Sequence, residues 1–441
     1  MRNITKFKIA AATIAVLGLV GAVPAYAAVE GETAYILNTF SFLVNGALVM
    51  WMGAGFAMLE SGLVRSKNTA TICLKNISLY AIAGLTFYLI GYNLMYLDVA
   101  KYIGSFSPFW GPVDTDALAG TFADGGYSAS SDWFFQMVFV ATAASIVSGA
   151  LAERIKLWPF LGFVVLLTAI IYPIQGAWVW GGGWLDQMGF SDYAGSTLVH
   201  SVGGWSALTG AIILGARKGK FGKDGKVNPI PGANLPLATL GTFILWLGWF
   251  GFNGGSVLAL GSAASAIEMS NVYANTNMAA AGGTITAMIL TQLMYKKVDL
   301  TMALNGAIAG LVSITAEPAH PTVGLAIIIG CIGGAIVVFG VPLMDKLKID
   351  DVVGAVPAHL CAGIWGTLAV AISNPDATFL TQLTGVIAIG VFVLVLSTIF
   401  WLALKYTVGI RSSEEDEIMG LDKAELGLEA YPEFGQGSQS L

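Results

Sequence analysis

Residues 196–216 read STLVHSVGGWSALTGAIILGA, and residues 352–372 read VVGAVPAHLCAGIWGTLAVAI. Each stretch is long and apolar enough to cross the hydrocarbon core of a bilayer as a helix, for which about 20 residues suffice. Each also holds one histidine, His200 in the first and His359 in the second. Ionisable groups inside a membrane are costly and usually belong to a pathway for ions or protons. The two stretches therefore predict membrane helices with a functional role.

The composition extends this prediction to the whole chain. Of 441 residues, 56% are hydrophobic and 11% are charged, whereas typical soluble domains have about 25% charged residues. A soluble enzyme is therefore not expected, and the small net charge of −6 argues against nucleic acid as a partner. The cysteines lie in apolar stretches, which argues against a disulfide framework or a zinc site; they are Cys73, Cys331 and Cys361. We predict an all-α polytopic membrane protein without enzymatic activity.

The first 27 residues are predicted to form a signal peptide. Three basic residues precede an apolar run at residues 9–23, and Pro24 and the small-residue pattern AYA at 25–27 follow it. This order of segments predicts cleavage after Ala27. An uncleaved first membrane helix is the alternative, and the short run and its helix breakers argue against it. Cleavage would leave the mature N-terminus outside the cytoplasm.

Apolar runs between charged or Pro/Gly-rich breaks predict eleven membrane helices and no strands. Their approximate ranges are 34–62, 70–97, 132–152, 157–176, 194–215, 234–260, 272–295, 299–316, 321–344, 353–373 and 383–408. Outside the signal peptide, only Lys101 among the basic residues falls in a connection after an even-numbered helix. Because short cytoplasmic loops hold most basic residues, the N-terminus is predicted outside and the C-terminus inside. Residues 28–410 then form the helical domain, and residues 411–441 form a polar cytoplasmic tail.

His200 and His359 fall on the fifth and tenth predicted helices. An odd-numbered repeat that occurs twice must lie in opposite orientations, which predicts inverted repeats of helices 1–5 and 6–10 with a site at their interface. Adjacent imidazoles can hydrogen-bond each other, accept an N–H group or relay a proton. The alternative is a structural role for each histidine. His320, between Pro318 and Pro321, is predicted to lie on the surface. No third ligand has suitable spacing, so neither a metal nor a cofactor is expected.

Several residues near the outer ends of these helices permit two interpretations. Asp192 precedes the fifth helix and could cap it through backbone N–H groups, or its charge could stabilise a cation. Trp180, Phe139 and Phe252 could belong to an ordinary interfacial aromatic belt, or their ring faces could bind a cation. Ser256, one turn after Phe252, could add a hydroxyl acceptor.

Together with the histidine of the tenth helix, six segments of the chain resemble the ammonium transporter (Amt/Rh/Mep) family. The segments are MLESGLVRSKN (58–68), FQMVFVATAASIVSGALAERI (135–155), VWGGGWL (179–185), DYAGSTLVH (192–200), WFGFNGGS (249–256) and LNGAIAGLVSIT (304–315). The resemblance spans essentially the whole mature chain in order. It implies a bacterial Amt-type ammonium transporter of the inner membrane: a homotrimer in lipid, with one pore through each eleven-helix subunit.

The resemblance also implies roles for individual residues. It places the ammonium recruitment site at Trp180 and Ser256, with Phe135 and Phe139 nearby. Asp192 would support recruitment and deprotonation of ammonium or methylammonium. Phe139 and Phe252 would form a stacked gate. His200 and His359 would be the twin histidines of the pore.

The sequence departs from the family pattern at three positions. Family members commonly have Gly just after the tenth-helix histidine and Asp five residues before it, where this chain has Leu360 and Gly354. These changes put the local packing and the inner pore exit in question. Leu426 stands where His is usual before Gly427 in the tail, so a cytoplasmic PII-type regulatory partner is expected from the resemblance alone.

Two other functions remain open at this stage. A neutral ammonia or gas channel of the Rh type would share the histidines but need weaker recruitment of a cation. An ammonium-sensing membrane receptor would normally carry a signalling domain, and a tail of about 31 residues is too short to form one independently.

Overall fold

The computed structural model describes residues 30–433, and within this range the chain is helical with no β-sheet. The predicted signal peptide lies outside the described residues. The long helices, in chain order, are α1 (Gly31–Leu63), α2 (Ser66–Tyr96), α3 (Ala129–Ala150), α4 (Leu157–Ala177), α5 (Ser196–Leu214), α6 (Leu235–Gly255), α7 (Ala263–Tyr295), α8 (Leu300–Ile314), α9 (Val323–Lys346), α10 (Val356–Ser373) and α11 (Phe379–Thr407).

Each of the eleven predicted ranges overlaps one of these helices, which confirms the all-helical membrane fold. Ten of the helices are long and apolar enough to cross a bilayer. The other helix, α8, has 15 residues, so its length is about 22 Å against a hydrocarbon core of about 30 Å. Eleven membrane crossings therefore stay a prediction.

The bundle has two ends with different charge. We call one the basic end: there Arg65, after α1, contacts Glu153, after α3, and Arg154 contacts the segment before α10. The other, which we call the acidic end, holds the start of α1, where Asn38 bonds to Gly126 and to the connection after α6. The described chain begins at the acidic end, and the segment after α11 lies at the basic end.

A buried ionic network joins the connections at the basic end. Arg217, after α5, donates to both oxygens of Asp350 at 2.9 Å and lies 3.4 Å from Glu153. Glu153 also accepts from Arg65 Nε at 2.6 Å, and Arg154 Nη2 donates to the carbonyl of Asp350 at 2.5 Å. Burial alone would raise the pKa of Asp350, but the hydrogen bond from Arg217 and the charges of Arg154 and Arg217 lower it to about 2.

The segment after α11 folds back onto the basic end. Ser412 N donates to the carbonyl of Arg154 at 3.0 Å. Further along, the carboxylate of Asp422 accepts from the backbone N–H groups of Ala70 and Thr71 at 2.9 and 2.8 Å. A carboxylate in this position satisfies amides that the first turn of α2 leaves free. The predicted tail is thus anchored to the helical domain at this point.

We expect Asp350→Asn to destabilise the protein, because the buried Arg217 would lose the carboxylate that it binds through two hydrogen bonds and keep only Glu153, at 3.4 Å, as an anionic partner. Removing one member of a buried pair costs about 3–5 kcal/mol. Because the folded-state pKa of Asp350 is depressed, the contribution of Asp350 is present above pH of about 4 and is lost as the pH falls towards about 2. Thermal unfolding in detergent at pH 7 and at acidic pH measures both effects.

The matched control is Asp345→Asn, which removes an ion pair with Lys220 at 2.9 Å whose side chains are partly exposed. Such pairs contribute about 0–1 kcal/mol. Equal unfolding temperatures for the two variants would contradict a structural role for the buried network.

Candidate functional site

Asp192 fixes the backbone that carries His200. Its two carboxylate oxygens accept four backbone N–H bonds, from Gly195 (3.0 Å), Ser196 (2.8 Å), Thr197 (2.9 Å) and Leu198 (2.8 Å). Gly195 has a φ of 109°, which favours glycine. The first turn of α5, Ser196–Ser201, is a wide π-type turn that contains His200. Wide turns of this kind are common at functional sites.

The start of α10 repeats this arrangement. Asp351 accepts from the N–H groups of Gly354 at 3.1 Å and Val356 at 2.7 Å. Gly354 has a φ of 79°, and His359 lies in a second π-type turn, Val356–Cys361. Both segments therefore have the pattern Asp-x-x-Gly-x-x-x-x-His, at 192–200 and 351–359. Asp351 is not among the residues predicted from the sequence, where Gly354 appears only as a departure from the family pattern, although the shared spacing of Asp, Gly and His is visible in both segments.

The two histidines contact each other directly. His359 Nδ1 lies 3.2 Å from His200 Nδ1, and the ring centroids are 5.3 Å apart. Both residues are buried: His200 has an exposed fraction of 0% and His359 of 4%. One Nδ1 must carry the proton and the other must accept it, so the two neutral rings have complementary tautomers. His200 Nε2 is buried and has no hydrogen-bond partner within residues 30–433, so it is available to a small molecule.

Glycines let the two histidine helices approach closely. A Cβ on Gly204 of α5 would lie 2.6 Å from Leu360 Cβ and 2.8 Å from Leu360 N. A Cβ on Gly363 of α10 would lie 2.4 Å from the carbonyl oxygen of Ser196. Leu360, which replaces the usual glycine, is thus accommodated because the facing residue of α5 is Gly204.

Aromatic rings form a column that leads to the histidines from the acidic end. Trp180 meets Phe139 edge-on at 6.0 Å between ring centroids, and Phe139 stacks on Phe252 at 4.0 Å. Phe252 lies 5.3 Å from His200. Phe135 flanks the column at 4.8 Å from Phe139. The predicted gate residues are therefore adjacent and buried, and they lie between Trp180 and the histidines.

Two further aromatic residues, which were not predicted from the sequence, contact the histidines. Trp249 stacks on His200 at 4.9 Å, and its Nε1 donates to Thr315 Oγ1 at 2.8 Å. Phe56 of α1 lies 6.3 Å from His359 on the far side of the pair. Trp249 precedes Phe252 by three residues on α6, which places both on one helix face. This spacing from Phe252 was the feature of the sequence from which Trp249 could have been predicted.

Asp192 links the helix start to the predicted recruitment site. Its backbone carbonyl accepts from Trp180 Nε1 at 2.9 Å, so it positions the indole ring. Burial raises the pKa of its carboxyl to about 6, although the four N–H bonds act in the opposite direction. Trp180, Asp186, Asp192 and Asp376 line a cavity of about 550 Å³ at the acidic end.

Ser256 is the predicted site residue with the weakest connection to the others. Its hydroxyl donates to the carbonyl of Phe252 at 2.9 Å, at the end of α6. In the part of the chain that the structure describes, no hydrogen bond joins Ser256 to Trp180. The hydroxyl oxygen keeps lone pairs that could accept from a cation.

Apolar membrane helices around a buried pair of imidazoles define a polytopic membrane transport protein. The sequence matches the model of the Ammonium Transporter Family over residues 40–431. It is 42% identical to ammonium transporter Amt2 of Archaeoglobus fulgidus, covering 89% of this chain and 87% of that protein. It is 38% identical to a putative ammonium transporter of Synechocystis, covering 90% and 89%.

Solved structures agree with this relationship. The chain resembles a sensor Amt protein with a TM-score of 0.83 and 37% identity, over 89% of this chain and 98% of that one. It resembles Mep2 of Candida albicans with a TM-score of 0.77 and 27% identity, over 87% and 88%. The chain therefore belongs to the ammonium transporter family, and it is a membrane transport protein rather than an enzyme.

We expect Gly204→Ala to lower the unfolding temperature in detergent, because the added methyl group must displace Leu360. Overpacking of this kind costs about 1–3 kcal/mol. Adding Leu360→Gly should recover part of the loss, since it removes the Cβ that the new methyl group would meet. Gly53→Ala is the control, because nothing lies within 4 Å of a Cβ at that position on α1. If Gly204→Ala were as stable as Gly53→Ala, the close approach at Gly204 would not constrain the fold.

Proposed function

We propose that this protein recruits ammonium at the acidic end, removes its proton and conducts ammonia along the pore that His200 and His359 line. The observation that carries the proposal is the direct Nδ1–Nδ1 contact of 3.2 Å, buried at the end of a column of aromatic rings. Two neutral imidazoles there present one free acceptor or donor nitrogen each to a small N–H molecule.

This arrangement can distinguish ammonium from potassium. The two ions have similar size and charge, so selectivity must use something that potassium cannot do. Ammonium can donate N–H bonds to an imidazole nitrogen such as His200 Nε2, or leave a proton behind and continue as neutral ammonia. A bare cation in an apolar passage is heavily penalised. The ring column therefore favours the molecule that can become neutral.

The cavity beside Trp180 supports recruitment of a cation before the passage. Asp186 and Asp376 line the cavity with Trp180, and acidic walls raise the local concentration of cations. The indole face can add a cation–π interaction. Above a pH of about 6 the carboxyl of Asp192 is charged. Because Asp192 also lines the cavity, its charge then adds to the negative potential of Asp186 and Asp376.

The stacked rings of Phe139 and Phe252 are proposed as the gate. At 4.0 Å between centroids they leave no space between their faces. A molecule can pass only when at least one ring rotates away, which would separate the cavity at Trp180 from His200. Rotations of this kind fit the ordinary rotamer freedom of phenylalanine.

We further propose the orientation and repeat structure that the sequence predicts. The basic end would face the cytoplasm of a cell with this protein in its inner membrane. Because the described chain starts at one end and its tail lies at the other, the number of crossings is odd, which supports α8 as an eleventh crossing. The two Asp-x-x-Gly-x-x-x-x-His starts lie at opposite ends, as inverted repeats of α1–α5 and α6–α10 require.

The assembly and regulatory partners implied by the resemblance stay predictions. They are a homotrimer in lipid and a PII-type protein at the tail. Because Asp422 of the tail binds the start of α2, a partner that binds the tail would be connected directly to the helical domain. A neutral channel of the Rh type would share the histidines, and the acidic cavity beside Trp180 favours ammonium over that alternative.

We expect His200→Ala and His359→Ala each to impair selective transport, because the remaining imidazole loses its partner and the space admits water or hydrated cations. Ammonium and potassium fluxes into proteoliposomes measure the effect. His320→Ala is the matched control, since this imidazole is 53% exposed and pairs with Glu317 at 3.0 Å, away from the pore. Native ammonium rates with potassium still excluded in both pore variants would make the pair structural.

We expect Trp180→Leu to raise the half-saturation concentration for ammonium and methylammonium about tenfold. A cation over a partly desolvated indole face gains about 1–2 kcal/mol, and 1.4 kcal/mol corresponds to a factor of ten. Uptake measured over a range of external concentrations tests this. Trp158→Leu is the control, because Trp158 is 77% exposed on α4. An unchanged concentration dependence in folded Trp180→Leu protein would assign Trp180 to the interfacial belt.

A further inference from the structure

A buried acidic side chain lies beyond the histidine pair, and the pore described above does not use it. Glu60 follows Phe56 by about one turn on α1, and Phe56 contacts His359. Glu60 is 1% exposed. Its Oε2 accepts from Ser148 Oγ at 2.7 Å, and its Oε1 has no hydrogen-bond partner among residues 30–433. This oxygen therefore accepts no hydrogen bond inside the described part of the bundle, although the side-chain amide of Asn76 on α2 lies close to the carboxylate.

Ser148 also binds Lys75, the residue whose positive charge balances that of Glu60. Lys75 Nζ donates to the carbonyl of Ser148 at 2.9 Å and lies 4.7 Å from the centre of the Phe160 ring. Lys75 is 1% exposed. Glu60 and Lys75 thus bind opposite groups of one serine without a direct ion pair. The charge of Lys75 interacts electrostatically with Glu60. Lys75 in turn interacts with the charges of Glu60 and Arg154.

The cluster lies next to a cavity at the basic end. A Cβ on Gly149 would lie 2.6 Å from Val353 Cγ2 and 3.3 Å from Glu60 Cγ, so these two side chains meet at Gly149. Val353 and Leu63 line a cavity of about 500 Å³. Leu63 is on α1 about one turn after Glu60. Phe56, Glu60 and Leu63 therefore follow one face of α1 from His359 to the cavity.

We propose that Glu60 is a proton-accepting residue of the pore, which takes the proton that the histidine pair passes on and releases it to the basic-end cavity. The inference rests on the proposed function. His359 Nδ1 faces His200, so the proton leaves from His359 Nε2 and reaches Glu60 Oε1 through water. Oε1 holds it as a carboxylic acid and then gives it to water in the cavity. No electrons move, and no other bond changes.

Lys75 makes this step reversible within one transport cycle. Its positive charge stabilises Glu60 as the anion that can accept a proton. Once Glu60 is protonated, the cluster has a net positive charge in a low-dielectric environment, which favours release of the proton. The same charge opposes entry of a metal cation from the cavity.

The test measures charge movement and substrate uptake together. Proteoliposomes on a solid-supported membrane report the charge moved by a methylammonium pulse, and labelled methylammonium reports uptake under the same conditions. We expect Glu60→Gln to lower the charge moved per methylammonium at least tenfold, because the amide keeps the bond from Ser148 but cannot accept a proton. The matched control is Asp132→Asn on α3, a buried carboxyl whose oxygens are bonded by Tyr92 and Gln136.

A second variant covers the case in which Lys75 without its counter-charge prevents folding. Glu60→Gln/Lys75→Gln leaves no buried charge unpaired and still lacks the acceptor, so it should show the same loss of charge per substrate. A wild-type charge ratio in either folded variant, or uptake without charge in the wild-type protein, would overturn the role of Glu60. If wild-type protein takes up no substrate, the proposed function itself fails.

Discussion

The contact between two buried imidazole nitrogens is the interaction on which the rest of this site depends. A hydrogen bond of this kind requires the backbones of α5 and α10 to pack closely. Gly204 and Gly363 make this possible, because a Cβ atom at either position would collide with the facing helix. The hydrogen bond also needs both rings to point inward at the same depth. The carboxylates of Asp192 and Asp351 set that depth by satisfying the first amides of each helix, which hydrocarbon cannot do.

The same helix start serves different neighbours at the two ends. At the acidic end, the carbonyl of Asp192 holds Trp180 beside an acidic cavity. At the basic end, Asp351 follows Asp350, which belongs to the buried network with Arg217 and Arg154. A repeated local structure thus lies beside an acidic cavity at one end and a buried ionic network at the other. The two ends differ because the connections that surround these helix starts differ.

Hydropathy predicted the helices because a bilayer selects long apolar segments, and the family motifs predicted the ring column and the histidine pair. Helix α7 begins at Ala263, well before its predicted start, because Ser262 and Ser265 form a capping box in a polar stretch that hydropathy scores poorly. The π-type turns depend on tertiary contacts that no single sequence shows. Asp351 was visible as a spacing. Glu60 was not, since its free oxygen emerges only from packing against Ser148 and Gly149.

The interior keeps its charge near zero while retaining groups that can carry a proton. Two neutral imidazoles share one hydrogen bond, and a proton on one ring opposes a second proton on the other, so the pair holds at most one extra charge. The opposite charges of Glu60 and Lys75 balance each other. In the proposed mechanism, a single proton would move between these groups with a small change in buried charge at each step, whereas a metal cation would carry its full charge through the whole apolar column. In the proposed mechanism, the low dielectric that makes the column a barrier to ions would also make it selective for a substrate that can give up a proton.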